Sequence, residues 1–160
     1  MRILLIRHGE AIEHGARSDS ERWLTAHGRQ TTRRVAAWLA EHAPPRTVLT
    51  SPLVRAAQTA EIVLSACGLD DAAVFRELAT GDVAAVVERV MTFHGEGPLC
   101  LVGHEPTLSE VIARALGLDA PPRFPKSGVF ALERDGHGAM TFLWRLRPKD
   151  ITRATDLGHA

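Results

Sequence analysis

The sequence predicts an α/β fold: a single-domain, three-layer sandwich with a mostly parallel central sheet flanked by helices and a C-terminal β-hairpin at one edge. Short apolar or β-branched runs recur along the chain, each followed by turn residues and then by apolar residues at helical spacing. The last runs break this habit and alternate apolar with other residues on both sides of a turn, as hairpin strands do. With 160 residues, 45% of them hydrophobic, the chain is long enough for one core and too short for two ordinary domains. Residues 1–160 are therefore expected to form a single domain.

Residues 3–6, 47–50 and 99–102 are continuous runs of the kind that a parallel sheet buries on both faces. Val35, Trp38 and Leu39 mark a short helical stripe after the first run. Leu53, Ala56, Ala57, Ala60, Val63, Leu64 and Cys67 make a longer stripe after the second. Further stripes are Val83, Val86, Val87 and Val90, and then Leu108, Val111, Ile112, Ala115 and Leu116. All are read as core-facing surfaces that cover the sheet. Pro121, Pro122 and Pro125 lie in a loop, and residues 129–133 and 140–145 flank Arg134-Asp135-Gly136-His137-Gly138 as a hairpin. Residues 148–160 read as a loosely held tail.

Lys+Arg and Asp+Glu are both 19, so the global charge favours neither nucleic acid nor an anionic membrane as a partner. No apolar run is long enough to cross a bilayer, and the apolar start breaks at Arg7-His8-Gly9-Glu10, far short of a secretory core. A cytoplasmic location is the expectation. Cys67 and Cys100 are far apart in apolar surroundings, which fits reduced, buried thiols better than a disulfide framework.

Ligands of an open parallel sheet bind beyond the carboxyl ends of its strands. Here the first run ends in Arg7-His8-Gly9, the second in Ser51-Pro52-Leu53-Val54-Arg55, and the third in Gly103-His104-Glu105-Pro106. Ser51 is placed to cap a helix with Pro52 at its first position, and Pro106 plays the same part after His104-Glu105. Helix N-termini then face the same edge. Taken singly, each histidine is an ordinary strand-end residue, and Arg55 is a helix residue that would pair with a neighbour such as Glu61. Together they describe an anion site with no acidic residue among its principal contacts. Phosphate, with close to two negative charges and three acceptor oxygens, suits the donor fork of arginine.

The ordered set Arg7-His8-Gly9, Leu24-Thr25 with Gly28, Ser51-Pro52 followed by Arg55-Ala56 and Gln58-Thr59, and Gly103-His104 resembles the histidine phosphatase superfamily. The resemblance runs from the first strand to the end of the chain. Ser18-Asp19-Ser20-Glu21-Arg22, Glu77-Leu78 followed by Gly81-Asp82-Val83, and the short length are most similar to its smallest branch, the SixA-type phosphohistidine phosphatases. The resemblance implies a ping-pong reaction in which His8 attacks phosphorus, becomes phosphorylated and is freed by water. It makes Arg7, Arg55 and His104 the groups that hold the phosphoryl oxygens, with no metal or other cofactor. It places Arg22 near the pocket mouth, as a further phosphate contact or a surface residue. Gly9 is expected to let the chain turn tightly beside the phosphate.

A proton donor for the leaving group is less evident; Glu77 is the nearest candidate, ahead of Glu10 and Glu105. Phosphohistidine relaxes the demand, because its imidazole has a conjugate-acid pKa of about 6.5 and departs without the help that an alkoxide needs. The expected partner is a protein carrying phosphohistidine or, alternatively, a small phosphorylated metabolite cleaved by a phosphomonoesterase of the same superfamily. A non-catalytic phosphate-binding module is the alternative from another class. A mutase-like activity is disfavoured by the lack of insertions to enclose a free sugar phosphate. Metal-dependent hydrolysis is disfavoured because the eight histidines are scattered, with no His-x-His or His-x-x-x-His pair beside a carboxylate.

Overall fold

Strand β1 (Arg2–Arg7) lies inside a six-stranded sheet, and its six residues run intermediate, four times buried, intermediate. The computed structural model describes residues 1–13 and 18–151. In chain order the further elements are α1 (Ala26–His42), β2 (Thr47–Thr50), α2 (Val54–Cys67), β3 (Ala73–Val74), α3 (Glu77–Thr80), α4 (Val83–Thr92), β4 (Leu99–Gly103), α5 (Thr107–Leu116), β5 (Val129–Arg134) and β6 (Met140–Leu146). The strand order is β3-β2-β4-β1-β5-β6. β1 to β4 are mutually parallel where they pair, whereas β5 runs antiparallel to β1 and β6 antiparallel to β5. The α/β sandwich with its hairpin at one edge is the architecture expected from the sequence.

Alternation along each strand divides the core between the two faces of the sheet. Leu4, Ile6, Val48, Cys100 and Val102 pack with Val35 and Leu39 of α1 and with Ala56, Ala60 and Val63 of α2. Ile3, Leu5, Leu99 and Leu101 pack on the other face with Leu78 of α3, Val86 and Val90 of α4, and Leu108 and Ile112 of α5. Fully burying one such aliphatic side chain stabilises the fold by about 1.5–3 kcal/mol. The helical stripes read from the sequence are these core surfaces, except that Leu53 and Ala57 of the second are only half-buried and join neither cluster. Cys67 and Cys100 are both free thiols.

Three local features differ from expectation. Ser51 does not cap α2: the helix begins at Val54 with Leu53 at its N-cap, and Ser51 is fully buried with its hydroxyl turned to other partners. Pro106 stands one position earlier than its expected place, as the N-cap of α5. β3 passes without a sequence signal because its two residues are both exposed and the register to β2 alone defines it. The tail expected at 148–160 lies outside the described residues from 152 onward, and Ile151 is still buried against the core. Among the described residues, no helix is long and apolar enough to cross a membrane.

The start of α1 is held against the loop after β1. Thr25 caps α1 by accepting from Gly28 N–H at 2.9 Å, and its hydroxyl donates to Glu10 Oε1 at 2.7 Å. A Cβ at Gly28 would stand 2.1 Å from the Glu10 carbonyl oxygen, so the two backbones meet only because this residue is glycine. Gly28→Ala should lower stability. Overpacking against rigid backbone costs about 1–3 kcal/mol, whereas the helix-propensity gain returns about 0.8–1 kcal/mol. A lower urea midpoint at unchanged slope is the expected result, and an equal or higher midpoint would refute the close approach.

Candidate functional site

Parallel register brings two of the strand ends together. Arg7 lies opposite Gly103, and His8 N–H donates to Gly103 O at 3.0 Å, so β1 and β4 release His8 and His104 side by side. Their rings are 5.0 Å apart between centroids and inclined by 53°. β2 joins the other side of β4, with Thr50 opposite Val102 and Ser51 N–H donating to Val102 O at 3.0 Å. Arg55 then enters from the first turn of α2, 6% exposed. The structure thus gathers Arg7, His8, Arg55 and His104 at one sheet edge.

The ring of His8 is oriented by its own chain. Its Nδ1 lies 2.7 Å from the Gly9 carbonyl oxygen, and since a carbonyl only accepts, the proton sits on Nδ1. The neutral ring therefore has its lone pair on Nε2. Gly9 N–H in turn donates to Thr59 Oγ1 at 3.0 Å, and Thr59 donates to Arg55 O, which ties the loop to α2. A Cβ on Gly9 would lie 2.6 Å from Thr32 Oγ1 and 3.1 Å from Gly28 O. Close packing against α1 is thus what requires glycine here, in place of the tight turn expected; its φ is not in the left-handed region.

His104 is held differently. Its Nε2 lies 2.7 Å from Ser51 Oγ. When Ser51 donates, the ring proton falls on Nδ1, which is buried and makes no hydrogen bond among the described residues. Arg7 Nε and Arg55 Nε are in the same condition. A buried, unpartnered donor costs about 1–3 kcal/mol, so three in one cluster mark a place organised for something other than stability. Arg7 also donates from Nη1 to Phe124 O at 2.7 Å.

Arg22 and Asp19 complete the rim. Arg22 donates from Nε to Ile12 O at 2.6 Å and from Nη1 to Asp19 Oδ1 at 3.1 Å. Asp19, in a single 3-10 turn, also receives Arg55: Nη1 on its main-chain oxygen at 2.7 Å and Nη2 on Oδ2 at 3.1 Å. Hydrogen bonds from Arg22 and Arg55 hold its carboxyl below the usual range. The expectation of a site without an acidic contact is corrected here. In the sequence Asp19 stands out only as part of a motif, and Ser51 has the local signature of a cap. Their pairing with Arg55 and His104 spans intervals that local patterns do not show. Glu77 starts α3 just beyond β3, half-buried at the same sheet edge, with no side-chain partner among the described residues.

Charge and burial set the protonation of both rings. Burial lowers the His8 pKa to about 4, and the fields of Arg55, Arg7 and Arg22 add to that against the opposing bond to Gly9 O. Burial lowers His104 to about 3, with His8, Arg55 and Arg7 acting in the same direction and Asp19 against them. Both are neutral near neutral pH. The cluster is accordingly a free imidazole lone pair in the field of three guanidinium groups, which suits attack on an anionic electrophile. Among the described residues, no group of three or more His, Cys, Asp or Glu side chains gathers as metal ligands do.

The pH consequence is direct. His8 ring resonances, assigned by comparison with His8→Ala, should stay those of neutral imidazole from about pH 8 to 5, since its pKa is lowered from about 6.5. The midpoint expected is about 4. Adding inorganic phosphate should move it upward, because an anion beside the ring favours imidazolium. A midpoint near that of free histidine without phosphate would contradict the burial and the arginine field.

The chain is similar in sequence and fold to known proteins. Residues 3–85 match the histidine phosphatase superfamily (branch 1). Phosphohistidine phosphatase SixA of Escherichia coli is 33% identical over 159 residues, covering 96% of this chain and 98% of that protein. A structure of the protein histidine phosphatase SixA complexed with tungstate superimposes with a TM-score of 0.87 at 33% identity, over 94% of this chain and 99% of that one. The α-ribazole phosphatase from Shigella flexneri shares the fold, with a TM-score of 0.78 at 22% identity over 92% and 97% of the two chains. A family match over half the chain, and a relative of this identity along nearly all of it, make this protein a member of branch 1 of the histidine phosphatase superfamily, a SixA-like phosphatase.

Proposed function

We propose that this phosphatase hydrolyses phosphohistidine in proteins, with His8 Nε2 as the atom that accepts the phosphoryl group. The observation that supports this most is the Nδ1–H bond to Gly9 O, which leaves a neutral Nε2 lone pair inside the field of Arg7, Arg22 and Arg55. The relatedness to SixA supports the substrate class. The tungstate held by a SixA structure, an oxyanion of phosphate shape, supports a phosphoryl substrate.

In the first step the His8 Nε2 lone pair forms a bond to phosphorus as the bond from phosphorus to the substrate's imidazole nitrogen breaks. The electron pair of that bond leaves with the substrate ring, which takes a proton from solvent that the attacking water gives back in the second step. Arg7, Arg55 and the Nδ1–H of His104 offset the charge on the phosphoryl oxygens, and the bond that His8 Nδ1–H donates to Gly9 O stabilises the positive charge that develops on His8. In the second step water attacks phosphorus, the bond to Nε2 breaks, and inorganic phosphate departs as the ring regains its neutral form. Asp19 holds the Arg55 guanidinium in place between substrates. Phosphohistidine needs little acid assistance, so Glu77 is at most an accessory donor for this substrate. A cytoplasmic location is part of this proposal, and the two free thiols are consistent with it.

His8→Ala should abolish turnover with an unchanged unfolding midpoint, and label trapped on the wild-type protein should be acid-labile and base-stable, as a phosphoramidate is. Retained activity in a folded variant, or acid-stable label, would overturn the assignment. Activity should also survive exhaustive chelation, because guanidinium groups supply the positive charge. Loss with EDTA and recovery with one divalent ion would reverse that view.

Glu77→Gln separates the substrate classes. If the carboxyl protonates leaving groups, hydrolysis of an alkyl phosphate should fall by about 10²–10⁴-fold, the usual worth of a positioned general acid. An aryl phosphate, with a leaving group of pKa about 10, should lose less, and phosphohistidine least of all. Equal losses on all three would make Glu77 a binding or structural residue.

A further inference from the structure

Beside the histidine cluster lies a cleft of about 830 Å³ that has Arg7 in its wall. The loop 121–128 contributes Arg123 and Lys126 to it, β6 contributes Arg145, and the segment that follows adds Arg147 and Lys149. In a chain of zero formal net charge, this gathers six basic side chains around one opening. The acidic side chains on the same wall are already engaged: Glu10 accepts from the Thr25 hydroxyl at 2.7 Å, and Glu105 from Ser109 N–H at 3.0 Å. Arg147 pairs with Asp150 at 2.8 Å. Arg123, Lys126 and Arg145 are exposed and make no ion pair among the described residues.

The fold puts this basic strip next to His8 by two routes. In the loop, Phe124 O receives Arg7 Nη1, and Ser127 N–H is shared between Arg7 O at 3.1 Å and His8 O at 3.2 Å. Arg123 and Lys126 are the immediate chain neighbours of those two contacts. In the sheet, β6 is antiparallel to β5 and β5 antiparallel to β1, so β6 points as β1 does. Its last residues therefore emerge at the edge where β1 delivers His8.

We infer that the cleft is the docking surface for an acidic segment of the phosphoprotein substrate that flanks its phosphohistidine, an inference that rests on the function proposed above. The free cations are exposed and spread over separate segments. A chain of carboxylates meets such a strip along its length, whereas a second small phosphate calls for convergent, buried donors. A basic strip also steers an acidic protein into register before the phosphoryl group reaches the strand ends.

The test compares kcat/KM on free phosphohistidine, on a synthetic phosphohistidine peptide flanked by glutamates, and on the same peptide with serines in their place. The wild-type protein should prefer the glutamate peptide by about tenfold or more at low salt, and the preference should shrink as salt is added. Arg123→Glu with Arg145→Glu should remove the preference while leaving free phosphohistidine unchanged. Equal kcat/KM for the two peptides on wild-type protein would overturn the inference, and that comparison needs no variant. A preference that persists in a folded double variant would overturn it too. So would a preference for a bisphosphorylated small molecule over its monophosphate with none between the peptides. If no phosphohistidine is hydrolysed while an aryl phosphate is, the proposed substrate class fails and this inference with it. Hydrolysis of all three at equal efficiency removes the docking surface alone.

Discussion

Parallel pairing of β1 with β4 is the constraint on which the rest of the molecule depends. Arg7 stands opposite Gly103, and the ladder continues through His8 N–H to Gly103 O, so two histidines from distant parts of the chain leave the sheet together. A slip of one residue would turn every side chain of β1 to the opposite face. Such a slip would also carry Arg2 or Arg7 into the place of the buried Ile3 or Ile6, and the cost of burying that charge opposes it. Core packing on both faces thus sets the geometry of a polar site that lies outside the core.

The site itself works by keeping two imidazoles uncharged in a positive surround. Burial is the main cause for each ring, and the arginines add to it. A protonated ring has no free lone pair, so the same charges that favour an anion at this edge also keep the Nε2 lone pair of His8 available. The geometry is stiffened by bonds between side chain and backbone: His8 to Gly9 O, Gly9 N–H to Thr59, and Arg55 to Asp19 O. Such contacts need glycine at 9, because α1 packs closely against that residue.

The antiparallel end of the sheet has a separate role. β5 closes the free side of β1, and the turn before it brings Ser127 to φ 56°, a left-handed conformation uncommon for serine, where its N–H serves Arg7 O and His8 O. Its hydroxyl lies 3.0 Å from that of Thr32 on α1. That turn and the end of β6 supply the free cations of the adjoining cleft. A phosphatase of this size has little chain with which to enclose a substrate, and charge at the open edge is a means of selecting one.

Local chemistry determined much of this protein from its sequence. The runs at 3–6, 47–50 and 99–102 marked parallel strands because burial on both faces demands continuous apolar or branched residues. The residues just after them marked the site, because strand ends are where a parallel sheet meets its ligand. The gathering of Arg7, His8, Arg55 and His104 at one sheet edge was legible on that ground, and the ordered motifs named the family. The tertiary structure alone decided which atoms face each other. Ser51 reads locally as a cap, yet its hydroxyl bonds His104, a residue on another strand. Asp19 carries no local sign that it holds Arg55, and Ser127 no sign that it bonds the His8 backbone. The same holds for the basic strip, whose members are dispersed among nineteen Lys and Arg balanced by as many acids. Hydrogen bonds and fields act across space between residues far apart in the chain, whereas periodicity and turn chemistry report only on neighbours.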